Sequence, residues 1–253
     1  MTNEELKDFL DFKVSQYNKP SFIEFDPISI PHQFSIKEDI EISAFLTATI
    51  SWGNRKAILK AANELMSLMG NSPFDFIMNS NSNQISRVSN YYYRTFKGSD
   101  LGYFILSLKN IYENHGGLEL IFSNNSKDTL HDSITTFRSK FFELPHFDRT
   151  RKHVSNPDSG SAAKRLHMML RWLVRKDNKG VDFGIWKNIS PSSLSIPLDL
   201  HSGNTARKLG LLKRKQNDLK AVMELDSICR YFDQADPAKY DFALFGLGVN
   251  EQF

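Results

Sequence analysis

Apolar residues in this chain recur at intervals of three and four almost from end to end, and nowhere alternate for long enough to make a strand. A chain patterned this way buries its apolar stripes by packing helix on helix. In "KEDIEISAFLTATISW", Ile40, Ala44, Leu46 and Ile50 fit a mostly buried helix opening near its acidic residues. "NRKAILKAANELMSLMG" follows, with Ile58, Leu59, Ala62, Leu65, Met66 and Met69 on one stripe and Gly70 as a C-terminal stop. "GSDLGYFILSLKNIYENHGG" begins at a Ser99–Asp100 cap and closes on Gly116–Gly117, and "DTLHDSITTFRSKFFEL" repeats the pattern before Pro145. After a polar stretch, "AKRLHMMLRWLVRKD" places Leu166, Met169, Leu170, Leu173 and Val174 on a buried stripe. A helix over 200–212, "NDLKAVMELDSICRYF" and "PAKYDFALFGLGV" complete the set. The expected class is all-α.

At 253 residues the chain is long enough for one substantial core or for two lobes sharing one. No run approaches the roughly 18 apolar residues of a membrane span. The segment "MTNEELKDFLDFK" is acidic and amphipathic, unlike a signal peptide. Cys229 is the only cysteine, which excludes intrachain disulfides, iron–sulfur clusters and cysteine-based zinc sites. A cytoplasmic location is expected, with no membrane and no cofactor.

Charge is distributed unevenly. Residues 138–220 hold 18 Lys/Arg against 7 Asp/Glu, while the remainder holds 14 against 22. Basic charge concentrated on one part of an otherwise acidic chain suits a polyanion-binding surface, or a set of solvated basic helix faces.

Two residues 35 positions apart combine into a chemistry. Lys164, in "GSAAKRLHMML", stands after a glycine turn at the start of a helix. The positive field of that terminus, with Arg165 beside it, disfavours an ammonium and favours the neutral amine that a lysine nucleophile requires. Asp199, in "SIPLDLHSGNTARKLGLL", also stands where a helix begins, but there the field favours the carboxylate. A persistent carboxylate assists proton removal from an attacking amine or stabilises positive charge on a sugar ring. The pair suits substitution at an anomeric carbon. Taken singly, the lysine reads as a solvated first-turn residue and the aspartate as an N-cap.

At these residues the chain resembles a known superfamily. "GSAAK" is similar to the hairpin turn and catalytic lysine of the helix–hairpin–helix base-excision DNA glycosylases. "IPLDLHSGNTARKLGL" resembles their "PVDTHV-x-R-V-x-R-LGL" segment, which carries the catalytic aspartate, and "DFALFGLG" resembles the final helix that closes their base pocket. The likeness covers about 160–250, and more loosely 40–65. The whole chain also looks like an uncharacterised family distantly related to that superfamily. The resemblance implies a two-lobed, all-α fold with a central cleft: a single bilobal domain over 1–253. In it, 41–178 forms a helical-barrel lobe ending in the hairpin helix, and 1–40 plus 179–253 forms a second lobe carrying the aspartate. It implies a DNA repair glycosylase with AP lyase activity that flips a damaged nucleotide out of duplex DNA. Lys164 attacks C1′ to form a Schiff base while Asp199 activates the amine. 8-Oxoguanine is the favoured oxidised purine, because lysine-bearing all-α relatives without an iron–sulfur cluster include enzymes for it, and the 35-residue gap is similar to that of the archaeal 8-oxoguanine glycosylases. Two features depart from the pattern: Ala162 replaces the second hairpin glycine, and the preceding loop lacks the usual apolar-Pro-Gly opening. The superfamily usually works as monomers. A non-catalytic protein of the same fold, recognising bent or damaged DNA, is the alternative.

Further residues follow. "TISWGNRKA" brings Trp52 and Asn54 to where superfamily members approach the flipped base. A ring there stacks on a purine for about 1–3 kcal/mol, or else fills the core. Asp241, ahead of Phe245 in "DFALFG", accepts from a purine N–H edge or acts as a helix N-terminal acid. His167 and His201 flank the proposed site. Gly160, Ser161, Arg165, Arg207 and Lys208 are the expected DNA-backbone contacts, with Lys213, Arg214 and Lys215 adding sequence-independent attraction. His146, Asp148 and His153 lie close in sequence but lack the i, i+4 spacing of a helical zinc motif, so no metal is expected.

Overall fold

A computed structural model describes residues 2–124, 129–251 and 253. The helices are α1 (Asn3–Tyr17), α2 (Lys37–Ile50), α3 (Arg55–Leu68), α4 (Pro73–Asn79), α5 (Ser82–Arg87), α6 (Gly98–Asn114) and α7 (Leu118–Ser123). They continue with α8 (His131–Phe141), α9 (Lys164–Val174), α10 (Leu200–Lys208), α11 (Leu219–Phe232) and α12 (Tyr240–Asn250). Among the described residues the only sheet is a two-residue hairpin, Tyr92–Tyr93 against Phe96–Lys97, so the chain is all-α. No described helix is long and apolar enough to cross a membrane.

Helix α2 is the axis of the larger core. Every residue from Asp39 to Ile50 is buried, the polar Asp39, Glu41, Ser43, Thr47 and Thr49 included, so over that span the helix turns no side to solvent. Phe45 stacks on Phe104 and meets Phe137 and Phe141 edge-on at 5.3 and 5.4 Å. Burying each such ring stabilises by about 1.5–3 kcal/mol. α9 lies against α2, which ties the Lys164 helix to this core. A second, smaller core gathers Leu6 and Leu10 of α1, Ile196, Leu198, Leu225 and Leu244. α12 joins it to α1 and α10, and Gly248 permits the close approach, since a Cβ there would meet Thr205 Oγ1 at 2.8 Å.

The sequence boundaries shift in three places. The cores do not divide at 40/41 and 178/179. Ile28, Ile30, Val181, Trp186 and Leu194 pack into the larger core, because the connector after α9 folds back over α2 and Trp186 Nε1 donates to the buried Glu41 at 2.6 Å. α10 ends at Lys208 rather than Leu212. Gly210 turns left-handed, the Leu211 N–H returns to the Ala206 carbonyl at 2.9 Å, and Leu211 and Leu212 drop into the smaller core. α6 starts at Gly98, and Asp100 accepts from the Lys97 N–H at 2.9 Å instead of acting as the cap itself. Asp128, which opens the segment read as α8, lies outside the described residues.

Candidate active site

The turn before α9 is held from both sides. Gly160 is left-handed, its carbonyl accepts from Leu219 N at 2.9 Å, and Ser161 pairs with Asp218 at the start of α11. Ala163 then adopts φ 45°, a left-handed conformation that costs an alanine about 1–2 kcal/mol. Its N–H donates to Ser161 Oγ at 3.2 Å. Positive φ thus falls at 160 and 163, and Lys164 opens its helix directly after a strained residue.

Asp199 caps its helix with one oxygen and faces Lys164 with the other. Its Oδ1 caps α10, accepting from Ser202 N at 2.9 Å and Ser202 Oγ at 3.1 Å. Its Oδ2 lies 3.8 Å from Lys164 Nζ. Both side chains keep access to solvent, at 30% for the lysine and 21% for the aspartate. Asn217 fixes the backbone behind them: its Nδ2 donates to the Asp199 carbonyl at 2.8 Å. Gly203 makes room for this amide, because a Cβ there would lie 2.7 Å from Asn217 Oδ1.

Lys164 and Asp199 open into a cavity of about 1000 Å³ where the two cores meet. Trp52, Ser161, Arg165, His201, Asp241 and Phe245 line it with them, so the sequence brought eight of its site residues to one place. Their roles are not all as expected. Arg165 stands over Trp52 at 5.1 Å from the ring centroid and donates to the Thr49 carbonyl, so it braces the wall instead of reaching outward to phosphate. Trp52 itself is half-buried, with His153 stacked at 6.3 Å and Tyr93 edge-on, and combines the wall and core roles.

The remaining expected contacts lie outside the cavity lining. Asn54 is the N-cap of α3, its Oδ1 accepting from Ala57 N at 3.3 Å. His167 points into the protein interior, 1% exposed and edge-on to His131, because its position on α9 falls on the buried stripe. Gly160 is committed to α11 through its carbonyl. Arg207 donates to the Arg214 carbonyl at 2.7 Å and to Asn217 Oδ1 at 2.6 Å, which makes it a support for Asp199. Lys208 remains exposed beside a smaller hollow of about 490 Å³ shared with His201.

Sequence reasoning overlooked the buried charges. Arg171, 3% exposed, contacts Asp241 Oδ2 and reaches Asp182 Oδ1 at 3.3 Å. Arg175 extends the chain to Asp182 at 3.0 Å, Asp177 at 2.8 Å and Asp236 at 2.9 Å. Asp26, which caps a short 3-10 turn through Ile28 N at 3.1 Å, is a further buried acid in the cavity wall. Burial raises the carboxyls of Asp26 and Asp182 above the usual range, in spite of the guanidinium nearby. It raises Asp241 to about 6, Arg171 pulling against burial and the Asp199 charge adding to it. Phe22 and Phe245 meet edge-on at 6.2 Å and supply an apolar surface. One signal was readable: Arg171 follows Lys164 by seven residues and Phe245 follows Asp241 by four, spacings that share a helix face.

The basic stretch is also less exposed than its composition suggests. Arg149 pairs with Asp100 and Arg214 with Asp218, while Arg138 donates to the Val154 carbonyl at 3.2 Å. With Arg165, Arg171, Arg175 and Arg207, these arginines serve the fold. The exposed cations are mostly lysines, Lys208, Lys213 and Lys215 among them. The residues of "PHFDRTRKH" part company: His146 Nδ1 bonds the Leu144 carbonyl at 2.7 Å, and His153 turns inward to Asp100. No three His, Cys, Asp or Glu side chains among the described residues are grouped to hold a metal ion.

Fold and site together define an all-α protein whose two cores meet at a cavity containing a lysine–aspartate pair. The chain belongs to the family described as "Protein of unknown function (DUF2400)", which matches residues 26–250. No curated protein and no solved structure matches it.

Proposed function

We propose that this protein is a DNA glycosylase with AP lyase activity, acting on an oxidised purine, with 8-oxoguanine favoured. The observation that carries the reading is the 3.8 Å approach of Lys164 Nζ and Asp199 Oδ2 beside a cavity of about 1000 Å³, room enough for an extruded nucleoside. The two residues are 35 positions apart and belong to different helices, so sequence proximity does not explain their meeting. The motif resemblance supplies the reaction. A flipped nucleotide enters between Trp52, Phe22 and Phe245, the Lys164 amine attacks C1′ as the base departs, and the Asp199 carboxylate takes the amine proton. The resulting Schiff base undergoes β-elimination and nicks the strand. His201 and Lys208 stand ready for the flanking phosphates of double-stranded, damaged DNA.

The test is incubation with duplexes carrying defined oxidised bases, followed by borohydride trapping. A covalent adduct is expected from the wild-type protein and none from Lys164→Gln. Undiminished trapping in that variant, or no adduct with any lesion, refutes the chemistry. Salt-sensitive binding without base release would favour a non-catalytic DNA-binding protein instead.

A further inference from the structure

The charges behind the cavity wall do not balance. Arg171 is in contact with two buried carboxyls, Asp182 and Asp241, and a third, Asp26, lies close enough to feel its charge. The next guanidinium, Arg175, is already shared among Asp182, Asp177 and Asp236. A desolvated cluster with more acids than cations holds protons, because uncompensated buried charge is far costlier than a neutral carboxyl. The Asp182 side chain is fully buried and lies outside the cavity lining, whereas that of Asp241 is 9% exposed and lines it.

Asp241 also shares that cavity with the reacting pair. The groups facing it are Arg171 and Lys164 from α9, Asp199 from the start of α10, and Asp182 from the connector. Asp26, Arg55, Arg165 and His201 complete the charged or titratable lining. A carboxylate facing the amine and a buried carboxyl that holds its proton more tightly than usual, both in one cavity, match the division of labour seen where an acid and a base must work at one pH.

We propose that Asp241 is the general acid that protonates the departing base. The assignment rests on the glycosylase reading above and deepens it. In the step, the C1′–N bond breaks and its electron pair leaves with the base nitrogen. The Lys164 lone pair forms the new N–C1′ bond, and the amine proton passes to Asp199. The Asp241 carboxyl gives its proton to a ring nitrogen of the base, which departs neutral. The carboxylate left behind is held by Arg171 until water reprotonates it.

An abasic site provides the control, since it reaches the same Schiff base with no base to protonate. Single-turnover base release from an 8-oxoguanine duplex is compared with borohydride trapping on the matching abasic duplex, for the wild-type protein and for Asp241→Asn. The variant is expected to lose base release by about 10²–10³-fold while trapping at the abasic site stays within threefold. Equal loss of both would mean a structural role and overturn the assignment. The wild-type protein gives a second measurement that needs no variant: the ratio of base release to abasic trapping is expected to fall as pH rises through about 6. A ratio that is flat, or that rises as it would if Asp241 were an ionised acceptor for purine N–H groups, overturns it as well. Abasic trapping without release of any oxidised purine also counts against the acid. Absence of both activities defeats the underlying glycosylase reading.

Discussion

Replacing Asp199 by asparagine and by alanine separates the two functions that its oxygens divide. Asparagine caps a helix about as well as aspartate, so its amide oxygen is able to keep the Ser202 N–H. The lost charge matters little to folding, because the pair with Lys164 is partly solvated and such pairs stabilise by about 0–1 kcal/mol. Asp199→Asn is therefore expected to shift Tm by less than about 2 °C. Alanine removes the cap as well, at about 1 kcal/mol, which for a chain of this size lowers Tm by about 2–4 °C. Chemistry should divide differently: both variants lose the carboxylate that faces the amine, and trapped adduct formation should fall at least about 10²-fold in each. The assay is thermal unfolding by circular dichroism alongside borohydride trapping at one pH. A Tm loss in Asp199→Asn equal to that of the alanine variant would make the charge structural. Wild-type trapping by Asp199→Asn would dismiss the carboxylate from the reaction.

Other consequences follow from the buried groups. Arg171→Met leaves Asp182 and Asp241 without their shared cation and is expected to cost about 3–5 kcal/mol in urea denaturation, shrinking as pH falls and the carboxyls protonate; a cost under about 1 kcal/mol contradicts the network. His167 lies sealed with neither ring nitrogen bonded, and burial pushes its pKa down to about 3. The unfolded imidazole titrates near 6.5, so between those values the unfolded chain binds the extra proton and stability is lost as pH falls. Relative to His167→Phe, the wild-type protein should therefore lose up to about 1.4 kcal/mol per pH unit on going from pH 6 to 4. Parallel stability curves for the two proteins would show that the site is not sealed.

Local periodicity carried the helical class and most helix positions, because a helix's stripe is written in residues three and four apart. The Lys164–Asp199 pairing was legible for a different reason: each residue stands where a helix begins, inside a short motif that resembles a known one. Even so, the motifs were silent on how Asp199 splits its oxygens between Ser202 and Lys164. Arg171, Asp26 and Asp182 could not be recognised as a buried charge cluster, since their ion pairs join segments whose separations follow no local rule. Arg165 and Arg207 read as phosphate contacts because exposure is decided by packing, and only the folded chain turns them toward Thr49 and Asn217. What the sequence by itself determined is which faces had to be buried and where helices begin. The tertiary structure alone decided which charges were buried with them, because desolvation depends on everything that surrounds a group and not on its neighbours in the chain.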